Sequence, residues 1–330
     1  MGVNRLGPAA GRISVVVPVF NEQPAVEELA AEVDAVLAGA DYELIFVDDG
    51  STDGSGPTLD RLAVANPRIK VLHFARNFGK ATALAAGFAE STGDVIVTLD
   101  GDLQDAPSEI PRLLAALAEG YDLVNGWKVR RQDPFTKVWP SRVFNFAVRT
   151  ITGVRLHDVN CGLKAYRREV IERLNIYGEL YRFIPILAAF EGFRVTEVPV
   201  AHRPRRYGRS KYGARRFIAG FLDLLTVGFL IRFSQKPLHI FGPVGLLTLV
   251  GGLGINVYLA CLKVALGEPI GTRPLLSLGV LLVLGGLQLL SLGLLGEMVL
   301  RAGPRDRRRL PHYRVVQGET VREGQAWPAR

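Results

Sequence analysis

Short apolar runs alternate with stretches of helical periodicity over the first two thirds of the chain. The runs are rich in Val, Ile, Leu and Phe and have the length of buried parallel strands, whereas apolar residues recur every three or four positions between them. This alternation predicts an α/β fold with a mainly parallel sheet. The predicted strands are 13–20, 42–47, 69–74, 95–99, 121–126 and 192–200, and the predicted helices are 24–37, 58–65, 81–90, 110–118, 142–152 and 177–190.

The last third of the chain has a different pattern. Residues 240–262 and 274–296 contain no charged side chain, and each run is long enough to cross a hydrocarbon core of about 30 Å. The preceding segment, 215–232, combines an apolar face with flanking cations, which indicates a helix in the membrane interface, although a soluble core helix has the same pattern. Basic residues precede and follow the two runs, so the positive-inside rule places both ends in the cytoplasm.

These patterns divide the chain into five parts. No periodic pattern follows residue 303, so the end of the chain is predicted to be a disordered cytoplasmic tail. The parts are an amino-terminal tail at 1–12, an α/β domain at 13–212, an amphipathic interface helix at 213–236, two transmembrane helices within 237–301 (about 238–263 and 274–300), and the tail at 302–330.

Composition narrows the class of partner. The chain carries a formal net charge of +8 and is 48% hydrophobic. Its basic residues concentrate at 203–216 and 301–309, beside the apolar runs, which favours a membrane surface and a phosphorylated ligand over nucleic acid. Cys161 and Cys261 form no disulfide framework and no metal-ligand spacing, so a reducing cytosol is the expected compartment. Residues 1–12 lack the apolar core of a signal peptide.

Acidic residues stand at the ends of two predicted strands. Asp48 and Asp49 follow the second strand. Asp100, Gly101 and Asp102 follow the fourth. Open α/β sheets bind ligands at the carboxyl ends of their strands, and two carboxylates one residue apart suit a divalent cation that also holds a diphosphate. The alternatives are a polar Asp-Gly turn and helix capping by a nearby Ser or Thr. The chain has no GxGxxG or GxxxxGK[ST] motif, which argues against a dinucleotide or P-loop site.

Three motifs in this order resemble glycosyltransferase family 2, whose members have the Rossmann-like GT-A fold. The motifs are VVVPVFNE, VDDGSTDGS and LDGDLQDAP. The resemblance implies a nucleotide-sugar donor, a catalytic DxD pair formed by Asp100 and Asp102, and Mg²⁺ or Mn²⁺ held by these two residues and Gln104. Gly101 stands where many relatives have Ala. The implied donor contacts are Pro18, Val19, Asn21, Glu22, Val47, Asp49, Asp100, Gly101 and Gln104.

The middle of the chain resembles the acceptor half of the polyisoprenyl-phosphate enzymes in this family. Residues 127–141 are similar to their mobile loop, although a plain surface loop has the same composition. HDVNCGLKAY resembles the acceptor motif, with Asp158 at the acidic position and Asn160 where many relatives have Gly. Residues 202–213, the basic loop, contain an RxxGxSK form that marks the dolichol-phosphate-sugar synthase type. A basic segment lying on anionic lipid would have the same composition. The implied contacts to the acceptor phosphate are Arg131, Lys137, Ser141, Arg205, Ser210 and Lys211.

The function implied by the resemblance is sugar transfer to a lipid. The donor would be of the GDP-mannose or UDP-glucose type, the acceptor dolichyl or undecaprenyl phosphate, and the anomeric carbon would be inverted. A phosphate monoester is largely a dianion at neutral pH and is already a nucleophile. A strong general base is therefore not required. Asp158, the third catalytic candidate, is expected to orient groups, with a role as general base left open.

The expected location follows from the two apolar runs. The protein would be integral to the cell membrane of a prokaryote or the endoplasmic reticulum membrane of a eukaryote, with the catalytic domain and both termini cytoplasmic. The expected partners are the nucleotide sugar, the lipid phosphate and the bilayer. A homo-oligomer is left open, and no nucleic acid is expected.

Three other functions compete with this interpretation. A processive polysaccharide synthase of the same family carries a QxxRW motif, but none of Trp127, Trp139 and Trp327 follows an Arg. A soluble-acceptor glycosyltransferase with an unrelated anchor is disfavoured by the basic loop and the interface helix. A non-catalytic membrane scaffold is disfavoured by the intact acidic motifs.

Overall fold

The structure, a computed structural model, describes residues 11–129, 149–150, 152–154, 156–174, 180–204, 206, 237–267, 274–302, 313–318 and 320–324. The chain divides into two units. The first contains Met1–Val227 together with Arg307–Arg330, and the second contains Gly228–Asp306. The predicted interface helix, 213–236, lies entirely outside the described residues.

The first unit is built on a mixed sheet. Its described strands are β1 (Ile13–Val19), β2 (Tyr42–Asp48), β3 (Ile69–Phe74), β4 (Val95–Thr98), β5 (Leu123–Lys128), β6 (Lys164–Arg167), β7 (Val195–Val200), β8 (Tyr313–Gln317) and β9 (Thr320–Gly324). Their order in the sheet is β7-β5-β6-β4-β1-β2-β3-β8-β9. The four strands β4, β1, β2 and β3 are parallel neighbours, β5 is parallel to β7, and β6, β8 and β9 pair antiparallel. The predicted α/β architecture with a mainly parallel centre is confirmed.

Helices cover both faces of this sheet. The described ones are α1 (Gln23–Leu37), α2 (Ser55–Ala65), α3 (Lys80–Glu90), α4 (Ile110–Ala118), α5 (Arg168–Arg173) and α6 (Ile184–Phe190), with 3₁₀ turns at Pro107–Glu109 and Leu180–Phe183. Successive residues of a strand point to opposite faces. Val15 and Val17 therefore join the core beneath α1, α2 and α4, whereas Val16 joins the core beneath α3.

Small residues bring α3 close to the sheet. A Cβ added at Gly87 would lie 2.3 Å from Cγ1 of Val16, so only glycine fits there without a shift. Ala81, Ala83 and Ala86 are buried on the same helix. This close packing fixes the position of the first residue of α3, Lys80, which belongs to the candidate site described below.

Two elements in the middle of the chain were not predicted. Strand β6 carries a Lys and an Arg at its ends, which leaves only Ala165 and Tyr166 to signal a buried strand. Helix α5 follows it directly. The helix predicted at 177–190 is, in its described part, a 3₁₀ turn followed by α6, because Pro185 has no N–H to donate and favours the first turn of a helix.

The predicted disorder at 302–330 is wrong for the last two strands. Strand β8 pairs antiparallel with β3, and β9 pairs with β8. Tyr313, Val315 and Val316 are buried, while Arg314 between them is exposed. The sequence pattern does not reveal the hairpin because β8 has only three apolar side chains, Tyr313, Val315 and Val316, and β9 has only Val321. Gly318, at φ +59°, takes the left-handed conformation that its turn requires.

The second unit contains two long helices, α7 (Leu238–Leu266) and α8 (Pro274–Ala302). Both are long and apolar enough to cross a membrane, judged by length and composition. A Cβ at Gly252 would lie 2.7 Å from the carbonyl oxygen of Gly279, and one at Gly286 would lie 2.5 Å from the backbone nitrogen of Leu249. The two helices therefore pack closely at Gly252 and Gly286. At three neighbouring glycines an added Cβ would have no atom within 4 Å; they are Gly251, Gly254 and Gly285.

The β8 pairing predicts a stability change at Val315. Its side chain is 1% exposed, so Val315→Ala should lower the free energy of unfolding by about 1–3 kcal/mol. The thermal unfolding midpoint of the full chain in detergent should fall by several degrees. The control is Val64→Ala at a side chain that is 58% exposed, which should change stability by less than about 0.5 kcal/mol. Equal midpoints for the two variants would contradict the packing of β8.

Candidate active site

The three acidic or polar motifs meet at one edge of the sheet. Strands β4, β1 and β2 are parallel neighbours, with Val16 opposite Thr98 and Pro18 opposite Val47. Their carboxyl ends therefore lie side by side, and the residues that follow each strand share one rim. Of the predicted donor contacts, the structure places at this rim Pro18, Val19, Asn21, Glu22, Val47, Asp49, Asp100, Gly101 and Gln104.

Asn21 joins the first motif to the second. It has a φ of +54°, an uncommon value for a residue other than glycine. Its backbone N–H donates to Oγ of Ser51 over 2.9 Å, and its Oδ1 accepts from the N–H of Thr52 over 2.7 Å. The residue that precedes α2 is Gly54, and it makes no side-chain capping bond. Ser51 and Thr52 thus join two loops instead of capping the helix, contrary to the capping expected from the sequence.

Asp49 anchors a third loop. Its two carboxylate oxygens accept N–H groups from Phe78 at 2.7 Å and Gly79 at 2.9 Å. Burial and the neighbouring charge of Asp48 raise the pKa of Asp49 despite these two bonds. Gly50 has a φ of +70°, and a Cβ there would lie 2.4 Å from the carbonyl carbon of Arg76. The loop after β3 therefore rests directly on the second motif.

Lysines surround the carboxylate of Asp100. Lys80 forms an ion pair with Asp100, and its ammonium also lies 5.2 Å from the centroid of the Tyr181 ring. Burial alone would raise the pKa of Asp100, but the charges of Lys80, Lys128 and Lys164 outweigh it and lower the pKa to about 2. Asp100 is consequently ionised at neutral pH. The sequence patterns did not single out these lysines, although Lys128 lies in the stretch 127–141 and Lys164 lies in the motif HDVNCGLKAY.

The loop after Asp100 is fastened from two sides. Asp102 Oδ1 accepts the N–H of Gln104 over 3.2 Å, and the carbonyl oxygen of Gln104 accepts the N–H of Arg203 over 3.0 Å. Asp105 is buried and forms an ion pair with Lys128 over 2.8 Å. The start of the basic loop, at 202–203, thus lies against the loop that carries the DxD pair.

Asp158 lies close to the same group of charges. It is buried, and its carbonyl oxygen accepts from Nδ2 of Asn125 over 2.7 Å. Both Asp158 and Asp100 favour the charged form of Lys164, whose pKa is nevertheless lowered because the side chain is buried. The acceptor motif and the DxD motif therefore share one polar centre around Lys164.

The predicted acceptor contacts lie outside the described residues; they are Arg131, Lys137, Ser141, Arg205, Ser210 and Lys211. Two other cations of the basic loop are described. Arg203 forms an ion pair with Glu32 over 2.7 Å, and Arg206 forms one with Glu28, both on α1. Both ion pairs attach the start of the basic loop to α1.

The oxygen atoms at the rim fit a divalent cation that a substrate helps to hold. Carboxylates are the oxygen ligands that Mg²⁺ and Mn²⁺ prefer, and Asp100 is kept ionised. In the described part of the chain, no three His, Cys, Asp or Glu side chains converge into a ready-made metal cage. Where phosphate oxygens of a substrate complete the coordination shell of the cation, the protein usually contributes only one or two carboxylates. The residues present therefore fit a cation bound together with a diphosphate.

Comparison with known proteins agrees with this geometry. The family model for "Glycosyl transferase family 2" matches residues 14–174. The dodecaprenyl-phosphate galacturonate synthase of Rhizobium johnstonii is 39% identical over 317 residues, covering 92% of each chain. The undecaprenyl-phosphate 4-deoxy-4-formamido-L-arabinose transferase of Pseudomonas aeruginosa is 39% identical over 303 residues, covering 89% of this chain and 88% of that protein.

A solved structure extends the comparison to the fold. Glucosyl-3-phosphoglycerate synthase from Mycobacterium tuberculosis, crystallised with Mn²⁺, UDP-glucose and phosphoglyceric acid, matches with a TM-score of 0.52 and 26% identity. The match covers 66% of this chain and 80% of that one. The GT-A fold predicted from the sequence is thereby confirmed.

The fold and the comparisons define a sugar transferase with a GT-A catalytic unit. The chain belongs to glycosyltransferase family 2, within the group whose members act on polyisoprenyl phosphates.

Gly162 provides a test of the polar centre. A Cβ there would lie 2.5 Å from Cγ of Asp100 and 2.6 Å from Oδ2 of Asp105, so Gly162→Ala must displace at least one of these carboxylates. We expect the dissociation constant for UDP, measured with Mn²⁺ present, to rise at least about 10-fold, the equivalent of one lost charge-assisted contact. Gly285→Ala is the control because no atom lies within 4 Å of its added Cβ. Unchanged UDP affinity in Gly162→Ala would contradict the proximity of Gly162 to the donor site.

Proposed function

We propose that the protein transfers a sugar from a UDP-linked donor to a polyisoprenyl phosphate of the undecaprenyl type, with inversion at the anomeric carbon. The observation that carries the proposal is the convergence of three motifs on a rim where Asp100 is held ionised by lysines. The two relatives at 39% identity are named for sugar transfer to dodecaprenyl and undecaprenyl phosphate, and they match almost the whole chain. A UDP donor is supported by the solved structure that holds UDP-glucose at 26% identity.

Asp100, Asp102 and Gln104 would hold Mg²⁺ or Mn²⁺ with the diphosphate of the donor. A divalent cation supplies charge neutralisation to a diphosphate leaving group. Other described residues hold the side chains and loops around this site in place. Lys80 orients Asp100 through their ion pair, and the Asn21 and Asp49 contacts hold the donor loops together.

The acceptor is already a nucleophile. The second pKa of a phosphate monoester is near 6, so the lipid phosphate is largely a dianion at neutral pH and needs no strong base. Asp158 is buried near Lys164 and the DxD loop, which suits a group that orients the acceptor side of the site. Attack by a phosphate oxygen from the face opposite the diphosphate would invert the anomeric carbon.

The path of the chain supports a proposal for the membrane topology. The first unit contains Met1–Val227 and Arg307–Arg330, and β8 pairs with β3 inside it. A two-helix hairpin that crosses the membrane twice returns the chain to the side from which it left. We therefore place the catalytic unit and the segments that flank the hairpin on one side, and the basic residues around the hairpin assign that side to the cytoplasm.

The reaction is tested with Asp102→Asn. Membranes containing the protein are incubated with a panel of UDP- and GDP-sugars and undecaprenyl phosphate, and the lipid product is identified by mass spectrometry. The wild type should form a lipid-phosphate-linked monosaccharide, and Asp102→Asn should reduce the rate at least about 100-fold because a metal ligand is lost. Asp41→Asn, at an exposed carboxylate, is the matched control. Full activity of Asp102→Asn in the presence of a chelator would refute the metal assignment.

The basic loop is expected to serve the acceptor. Arg205→Ala or Lys211→Ala removes a charge-assisted contact of roughly 1.5–3 kcal/mol, so kcat/KM for the lipid phosphate should fall about 10- to 150-fold. Donor binding measured by calorimetry should change much less. Arg206→Ala is the control within the same loop, because Arg206 pairs with Glu28 at the surface and such pairs contribute little. A collapse of donor affinity with unchanged acceptor dependence would show that the loop closes over the diphosphate.

A further inference from the structure

An imidazole bridges two carboxylates behind the second motif. His73 lies near the end of β3, opposite Asp48 on β2 and opposite Arg314 on β8. Its Nδ1 is 2.9 Å from Oδ2 of Asp48, and its Nε2 is 2.9 Å from Oδ1 of Asp60 on α2. Nη2 of Arg314 lies 3.8 Å from the other oxygen of Asp60. Asp48 is 4% exposed, whereas the side chain of Asp60 is 37% exposed, so the bridge is shielded from water at its Asp48 end.

The geometry requires a charged imidazole. A neutral histidine has one N–H to donate, whereas two carboxylates that each face a ring nitrogen need two donors, which only the imidazolium has. Burial disfavours that charge, but the hydrogen bonds to Asp48 and Asp60 outweigh it and raise the pKa of His73. In the described part of the chain, the charged groups around the ring are these two carboxylates, with Arg314 beyond Asp60.

Asp48 connects the imidazole to the second motif. Its Oδ2 faces His73, while its Oδ1 accepts the N–H of Ser51 over 2.9 Å. The Oγ of Ser51 in turn accepts the N–H of Asn21. A continuous path of hydrogen bonds therefore runs from the ring of His73 to the joint between the first two motifs. The sequence did not indicate this role for any residue on the path, because the family resemblance marks Asp49 and not its neighbour Asp48.

We propose that His73, clamped between Asp48 and Asp60, is a positioning residue for the donor nucleotide, and that its imidazolium holds Asp48 and the loop 49–52 in the conformation that binds the donor. The proposal rests on the proposed function, since the loop belongs to the proposed donor site. When the ring loses its proton, one of the two hydrogen bonds is lost. Two carboxylates then compete for a single donor, and the hold on Asp48 from behind is weakened.

The sign of the pH dependence follows from the raised pKa. The imidazolium dominates below that pKa, which lies above the ordinary value of 6.5, and is lost as the pH rises through it. We expect the dissociation constant for UDP, with Mg²⁺ present, to rise about 10-fold between about pH 6.5 and pH 9. The phosphate groups of UDP become more negative over the lower part of this range, which by itself would strengthen binding to a cation. A fall in affinity therefore reports on the protein.

Asp60→Asn separates positioning from mere structural support. Asp60 lies on α2, away from the rim, and removing its charge should lower the pKa of His73 by about 1–3 units. The midpoint of the UDP affinity profile should move to lower pH by the same amount in the full-length protein in detergent. Glu27→Gln is the matched control, because Glu27 forms an exposed ion pair with Arg61 and has no contact with His73. A structural role alone would weaken binding at every pH and leave the midpoint in place.

His73→Gln completes the test, because its amide can still donate one hydrogen bond but cannot titrate. We expect UDP affinity to be weaker by about 10-fold at pH 6.5 and to show no fall as the pH rises to about 9. Thermal unfolding at both pH values checks that each variant is folded. The inference is wrong if the wild-type midpoint persists in His73→Gln or is identical in Asp60→Asn and Glu27→Gln. Absence of UDP binding and sugar transfer by the wild type would instead overturn the proposed function.

Discussion

Carboxylates gather at the carboxyl ends of β2 and β4, and the site depends on the cations that keep Asp100 ionised there. Lys80, Lys128 and Lys164 provide that charge around Asp100, and Asp105 balances Lys128 in turn. The residues packed beside these charges fit this charge balance. Glycine stands at 162 because a side chain would push the carboxylates apart, and burial raises the pKa of Cys161 to about 12, which keeps the thiol neutral among these charges.

The centre of the fold could be predicted because its signals are local. Strands β1 to β4 are short runs rich in apolar residues, and their predicted ends agree with the structure to within a residue. Strand β6 and the β8–β9 hairpin could not be found in this way. Strand β6 is four residues long with charged ends, and it is stabilised by pairing with β4 and β5 on either side. Such stabilisation depends on residues far away in the chain, which no local pattern contains.

The same distinction holds for the candidate site. The acidic and polar residues at the strand ends were found because their motifs occur in a fixed order along the chain. The lysines around Asp100 come from α3, β5 and β6, and their convergence depends on the order of strands in the sheet. The bridge at His73 likewise combines β2, β3 and α2. The roles of the acceptor residues in the two basic loops stay predictions.

The position of β8 has a consequence for biosynthesis. The ribosome completes β1 to β7 first, then the apolar hairpin, and only afterwards the strand that covers β3. Until β8 is made, β3 is an edge strand with unpaired backbone groups, which is a site for aggregation. The apolar hairpin is therefore synthesised before the sheet can be completed. A nascent chain delayed between the hairpin and β8 would expose this edge for longer, so the pace of synthesis over the last residues bears directly on the yield of folded protein.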